Sequence, residues 1–172
     1  MAHQGKVRLF VVAPVLLHGA GTQSERGVRE LDAAAIAQMF AVPTIEPALV
    51  LKRMLLFSVR DDRSGLAADS GPVGSISDNE LGGRYSYRVA KAALKQLLNK
   101  EAIKLRRRHR HSICMPLHPG TVSKPWSAPF SQAGLEVQES IHAAAGLLCI
   151  IAGLATGDSG VFFNHHGKAV PG

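Results

Sequence analysis

Tyr87-Arg88-Val89-Ala90-Lys91-Ala92-Ala93-Leu94 opens the stretch on which the fold turns. From Tyr87 to about Leu105 the apolar positions Val89, Ala93, Leu94, Leu97, Leu98, Ala102 and Leu105 recur at the spacing of a helix with one buried face. Ser112 to Leu117 then reads as a strand, ended by His118-Pro119-Gly120. Upstream, Val7 to Ala13 is short, apolar and β-branched, the pattern of a buried strand. Asp32 is placed to cap a long helix carrying Ile36, Met39, Phe40, Leu49, Leu51 and Leu55. Pro43 and Pro47 each remove a helix donor and predict a kink or break there. Residues 58–72 are polar and contain glycine; only Gly65-Leu66-Ala67-Ala68 reads as a strand, and a poor one. Glu136 to Ala155 predicts a second strong helix, and Val161-Phe162-Phe163 a last short strand. Strand and helix thus alternate four times, which predicts an α/β fold with a parallel sheet and helices on its faces. Ligands in such sheets lie beyond the C-terminal strand ends, so the loops at 13–21, 70–87 and 117–130 are the places to look.

The 172 residues fit one domain, spanning 1–172. With 46% hydrophobic and 19% charged residues the chain is not a disordered polar one. Its net charge is +7, yet Lys104, Arg106, Arg107, Arg108 and Arg110 account for five of those charges within one run. The longest uninterrupted apolar run, Ala143 to Ala155, contains two glycines and is shorter than the roughly 20 residues that cross a bilayer, so no membrane association is expected. The start of the chain does not read as a secretory signal. Cys114 and Cys149 form no disulfide framework, which favours a reducing, cytoplasmic setting.

Tyr87 and Lys91 stand four residues apart at the start of a helix, on one face. A phenol with a pKa near 10 is a poor acid or base at neutral pH. A neighbouring ammonium favours the phenolate, so the tyrosine becomes able to exchange a proton with an alcohol or carbonyl oxygen.

The longer stretch Gly74-Ser75-Ile76-Ser77-Asp78-Asn79-Glu80-Leu81-Gly82-Gly83-Arg84-Tyr85-Ser86-Tyr87-Arg88-Val89-Ala90-Lys91-Ala92-Ala93-Leu94 resembles the short-chain dehydrogenase/reductase family. His118-Pro119-Gly120-Thr121-Val122 follows at the interval where that family has a loop beside the nicotinamide, and Asp158 to Phe163 resembles its last strand. The resemblance implies a partial doubly wound, Rossmann-like parallel sheet in three α/β/α layers, without the first strands. It implies NAD or NADP as cofactor and a small carbonyl compound or secondary alcohol as substrate. Tyr87 would be the proton donor or acceptor; Lys91 would lower the tyrosine pKa and hold the nicotinamide ribose; Pro119, Gly120 and Val122 would line the cofactor. It implies a catalytic serine before Tyr87 and a relay asparagine on the preceding helix.

The sequence departs from the family at several of these places. No T-G-x-x-x-G-x-G turn is present to take a pyrophosphate on backbone donors, so the resemblance implies weak or absent cofactor binding. His18-Gly19-Ala20-Gly21 holds a G-x-G, but after what resembles the fourth family strand. Val15 stands at a family glycine, Pro43 at the relay asparagine, and Glu46 at another glycine. Gly71 falls at the usual serine, leaving Ser70 or Ser75 as substitutes. Two readings follow: an NAD(P)-dependent short-chain oxidoreductase, or a catalytically inactive remnant that self-associates. A homo-oligomer is expected in either case.

Other residues admit two readings each. The run from Lys104 to His111 is either a phosphate-contacting patch or the solvated end of a helix whose dipole favours cations, and without interleaved aromatics no specific nucleic-acid partner is expected. His109, His111, Cys114, His165 and His166 do not make a zinc spacing, so no metal is expected. Cys114 reads as a buried, inert thiol. Trp126 and Phe130 either cover substrate or pack in the core.

Overall fold

The computed structural model describes residues 6–13, 25–59, 61–123 and 137–172. Three parallel strands, β1 (Leu9–Val12), β2 (Ser64–Asp69) and β3 (Ser112–Leu117), form a sheet in the order β1-β2-β3. Leu9 lies opposite Gly65, and Ser64 opposite Ser112, so all three strands end at the same side of the molecule. The helices α1 (Ala33–Phe40), α2 (Glu46–Met54) and α3 (Tyr85–Arg108) lie on one face, and α4 (Ser140–Gly153) on the other. This is the expected three-layer α/β/α arrangement, and the fold is a partial Rossmann-like one.

Each layer has its own core. Leu66, Ala68 and Cys114 point toward Leu51 of α2 and Leu94, Leu98, Ala102 and Leu105 of α3. Ala67, Ile113, Met115 and Leu117 point the other way, toward Leu147, Ile150 and Ile151 of α4. The residues of β2 alternate between the two clusters, as the two-residue period of a strand demands.

The structure corrects several expectations. The weakest-looking strand is the central one: β2 runs from Ser64 to Asp69 and is buried almost throughout. Its small side chains are a packing requirement, since a Cβ on Gly65 would stand 3.0 Å from Leu9 Cδ1. The helix at Pro43 does not break. Residues Ala41–Ile45 form a π-helical turn joining α1 to α2, with the Glu46 amide donating to the Ala41 carbonyl. Widening the turn by one residue accommodates a ring that would collide with the carbonyl four residues back. The resulting stretch Ala33–Met54 is 22 residues long and, by length and composition alone, apolar enough to cross a membrane; the uninterrupted-run criterion passed over it. Met39, Pro43, Thr44, Pro47 and Leu51 on it are buried. The last strand shrinks to isolated bridges of Phe163, parallel to Leu117 and antiparallel to Ala169, although Gly160 and Phe163 both donate to β3 carbonyls. The final helix starts at Ser140, and Val137–Gln138 before it is a short strand, β5, paired with β4 (Thr121–Val122). Asp32 caps α1 as expected, accepting from the Ala35 amide at 2.8 Å.

Candidate active site

The start of α3 is set by a left-handed turn: Gly82, Gly83 and Arg84 all have positive φ. Arg84 offers no side-chain cap. Glu25, distant in sequence and buried, does that work: its carboxylate accepts from the Ser86 hydroxyl and, at 3.4 Å, from the Ser86 amide. A carboxylate at a helix N-terminus also meets the favourable end of its dipole. Arg88 donates to the carbonyls of Val73, Gly82 and Gly83, tying the preceding loop to the helix. Gly74 lies against α3 so closely that a Cβ would be 2.7 Å from the backbone carbon of Lys91.

These contacts bring Tyr87 and Lys91 to the C-terminal end of β2. Lys91 is 2% exposed, and its ammonium donates to the Asp69 carbonyl at 3.2 Å and lies 3.5 Å from Asp69 Oδ2. The same nitrogen is 5.8 Å from the centre of the Tyr87 ring. Burial pushes the Asp69 carboxyl up to about 6, against the pull of Lys91. The Tyr87 phenol is raised above its ordinary value, first by burial and then by the Asp69 charge. The expectation that Lys91 lowers the tyrosine pKa is therefore corrected: burial raises it, and the Asp69 charge beside Lys91 adds to the rise.

Ser70 and Ser75 occupy different surroundings. The Ser70 hydroxyl is buried with no hydrogen-bond partner among the described residues, next in sequence to Asp69 of the Lys91–Asp69 pair. Ser75 instead donates to the Gly172 carbonyl at 3.1 Å and accepts from the Asp78 amide. Gly71, at the position of the usual serine, is buried in extended conformation.

The loop after β3 completes the site. His118 Nδ1 lies 3.2 Å from the Ser70 carbonyl, to which its N–H donates in the neutral ring. Burial drives the His118 pKa down to about 4. Its ring meets His165 edge-on at 6.1 Å. Gly120 takes φ +78°, and a Cβ there would meet Gln138 Nε2 at 2.7 Å. Gln138 also donates to the Pro119 carbonyl, and Val122 lies opposite Gln138 in the β4–β5 pair. At the place of the relay asparagine, Pro43 is buried in the π turn, and the neighbouring Thr44 donates to the Ala90 carbonyl on α3. Cys114 is buried and its thiol pushed up to about 12, as suits an inert side chain. Val15, His18 to Gly21, Trp126 and Phe130 lie outside the described residues.

Sequence reasoning missed Asp69 and Glu25, and named His118 only as part of the loop after β3. Asp69 left a signal, an acidic residue closing a small-residue strand at its C-terminal end. Glu25 left none.

A parallel sheet in three layers, with a tyrosine and a lysine one helical turn apart beyond its C-terminal edge, defines a Rossmann-like class of protein. Comparison with known proteins narrows it. The chain is 30% identical over 158 residues to the C-signal protein of Myxococcus xanthus, covering 91% of each. It is 27% identical to 1-hydroxy-2-glutathionyl-2-methyl-3-butene dehydrogenase of a Rhodococcus species, spanning 65% of that protein. Among solved structures it is similar to the carbonyl reductase Sniffer of D. melanogaster, with a TM-score of 0.80 at 19% identity over 68% of that chain. It also resembles an NADPH-bound carbonyl reductase from chicken fatty liver, with a TM-score of 0.71 at 25% identity over 64% of that chain. No family model matches. The chain belongs to the short-chain dehydrogenase/reductase family.

The residues that the family resemblance assigns to the nicotinamide end of a dinucleotide, Lys91, Pro119, Gly120 and Val122, are among the described ones. Lys91, the residue that would hold the ribose, is engaged by Asp69. The sequence contains no glycine-rich turn for a pyrophosphate.

Proposed function

We propose that the chain carries the substrate-side, proton-handling part of a short-chain oxidoreductase site. Its substrate is a small carbonyl compound or secondary alcohol. Tyr87 serves as the proton donor or acceptor, and Lys91 stands behind it. The observation that carries this reading is the placement of both on the first turns of α3, beside the end of β2. The raised phenol pKa keeps Tyr87 protonated, the state from which a proton is given to a carbonyl oxygen as it is reduced, but makes it a weaker acid than a free tyrosine. Ser70, with a free hydroxyl, is the better placed of the two serines to hold that oxygen; Ser75 is occupied. NAD or NADP belongs to this reading through the family and through the NADPH-bound relative. Pro119, Gly120 and Val122 are its candidate contacts, with weak affinity. Two unpaired cysteines agree with a reducing, cytoplasmic setting. A homo-oligomer agrees with the apolar side chains Ile45, Leu49, Val89 and Leu97, which α2, α3 and the turn before α2 leave exposed.

A second reading, a non-catalytic chain, draws support from Gly71 at the serine position and from the Lys91–Asp69 pair. Calorimetric titration with NADPH, followed by carbonyl-reduction assays on the native chain and Tyr87→Phe, separates the two. Measurable turnover that Tyr87→Phe abolishes supports the first. Turnover that survives the substitution rejects Tyr87 as the acid. No turnover across a broad panel of ketones and aldehydes favours the second.

A further inference from the structure

The N-terminal ends of the three strands, opposite the candidate active site, gather the chain's positive charge. Arg106, Arg107 and Arg108 form the last turn of α3, and Arg110 lies in the turn into β3. Lys52 and Arg53 form the last turn of α2. That helix ends at the same side, because the Val7 amide donates to the Phe57 carbonyl at 2.9 Å. Lys6 and Arg8 precede β1. Of the acids at this end, Asp62 pairs with Arg8 at 2.7 Å and Glu101 with Lys104 at 3.8 Å, and Asp61 is exposed beside them. Among the described residues, the three arginines of α3 and the two cations of α2 make no ion pair.

Two apolar side chains stand out from the same end. Leu56 is 74% exposed and Phe57 44%, in the tight turn that ends α2, three to five residues beyond Lys52 and Arg53. A solvated helix end explains the cations but not a protruding leucine and phenylalanine in the turn that follows it. A nucleic acid would use the cations, and a single strand also the Phe57 ring, but the more exposed Leu56 offers it neither a stacking face nor a hydrogen bond. A bilayer with acidic headgroups uses both features: cations gather at its surface potential, and a short apolar turn enters the headgroup boundary.

We propose that this end is a docking surface for an anionic phospholipid membrane, with Arg106, Arg107, Arg108, Lys52 and Arg53 on the headgroups and Leu56 and Phe57 inserted. The association is peripheral and reversible. It leaves the candidate active site, at the other end of the strands, clear of the membrane. It does not depend on the oxidoreductase reading.

The test is co-sedimentation of the full chain with vesicles of phosphatidylcholine alone or with one quarter phosphatidylglycerol. The expected result is binding to the acidic vesicles at least tenfold tighter than to the neutral ones, lost by a further tenfold or more on raising the salt to 0.5 M. The triple variant Arg106→Glu, Arg107→Glu, Arg108→Glu should weaken it at least tenfold, and Lys52→Glu with Arg53→Glu repeats the test on a separate element. Leu56→Ser, which alters no charge, should weaken vesicle binding threefold or more. All these side chains are exposed, and unchanged thermal unfolding identifies variants that retain the fold. Equal binding to neutral vesicles, insensitivity to salt, or an unchanged Leu56→Ser would overturn the proposal. So would binding to duplex DNA by a chain that ignores the acidic vesicles.

Discussion

Lys91 is paired with Asp69, not with Tyr87: its ammonium is 3.5 Å from the Asp69 carboxylate and 5.8 Å from the centre of the Tyr87 ring. A buried cation beside a phenol stabilises the phenolate only while its charge is uncompensated. With the carboxylate in place the local charge is close to zero, and burial then decides, holding the phenol protonated.

Replacing Asp69 by Asn should therefore lower the Tyr87 titration midpoint by one unit or more. The chain has two tyrosines, Tyr85 and Tyr87, so a Tyr85→Phe background isolates the signal. Alkaline difference spectra at the tyrosinate band make the measurement, with no need for turnover. A midpoint that stays put in Asp69→Asn would show that Lys91 is without influence on the phenol.

The same neighbourhood predicts two opposing pH dependences. Asp69 titrates at about 6 in the fold against 3.8 as a free carboxyl, so between those values the folded chain holds a proton that the unfolded chain has lost. Its contribution to stability thus falls as pH rises through that window. His118 titrates at about 4 against 6.5, so there the unfolded chain holds the extra proton and stability rises with pH. Unfolding measured from pH 4 to 6.5 should be nearly flat in the native chain. Stability should rise with pH in Asp69→Asn and fall in His118→Asn. Parallel slopes in the two variants would contradict the assignment.

The layered α/β fold and the position of Tyr87 and Lys91 were legible because helix periodicity and a short motif are local signals. The central strand was faint because its residues are chosen for close approach: Gly65 leaves room for Leu9 and Ile151 rather than advertising hydrophobicity. The π turn was illegible because a proline reads locally as a break, whereas packing of Pro43 and Thr44 against α3 holds the helix together across it. The charge state of the site escaped for a similar reason. Asp69 lies 22 residues from Lys91, and only the strand–helix packing brings the two together.

Gly74 and Gly71 should respond in opposite ways to a side chain. At Gly74 a Cβ would be 2.7 Å from both the backbone carbon and the Cβ of Lys91, so Gly74→Ala must push α3 away from the sheet. A loss of about 1–3 kcal/mol is expected, the usual range for overpacking. At Gly71 the backbone is extended, with φ −141° and ψ 153°, and the tightest contact is the Val73 methyl at 3.3 Å. Gly71→Ser should stay within about 1 kcal/mol of the native chain, because a side-chain methyl yields where a helix backbone does not. Chemical denaturation of both variants decides this; equal losses would mean that the α3 contact relaxes as easily as a rotamer.

The last prediction concerns the edge of the sheet. β1 has β2 on one side, and its other side pairs with no strand among the described residues. Leu9 and Val11 point to the α4 face and are 37% and 40% exposed, so the edge presents unpaired backbone groups and apolar side chains together. No proline interrupts β1, and the one charge beside it, Arg8, is held by Asp62. An edge of this kind recruits a further strand. The isolated chain should form dimers or larger species, and Val11→Lys, a charge set into the exposed edge, should shift it toward monomer while preserving the β1–β2 hydrogen bonds. Size-exclusion chromatography with light scattering reads the result. A sharp monomer near 18 kDa with cooperative unfolding in the native chain would show that the β1 edge is protected.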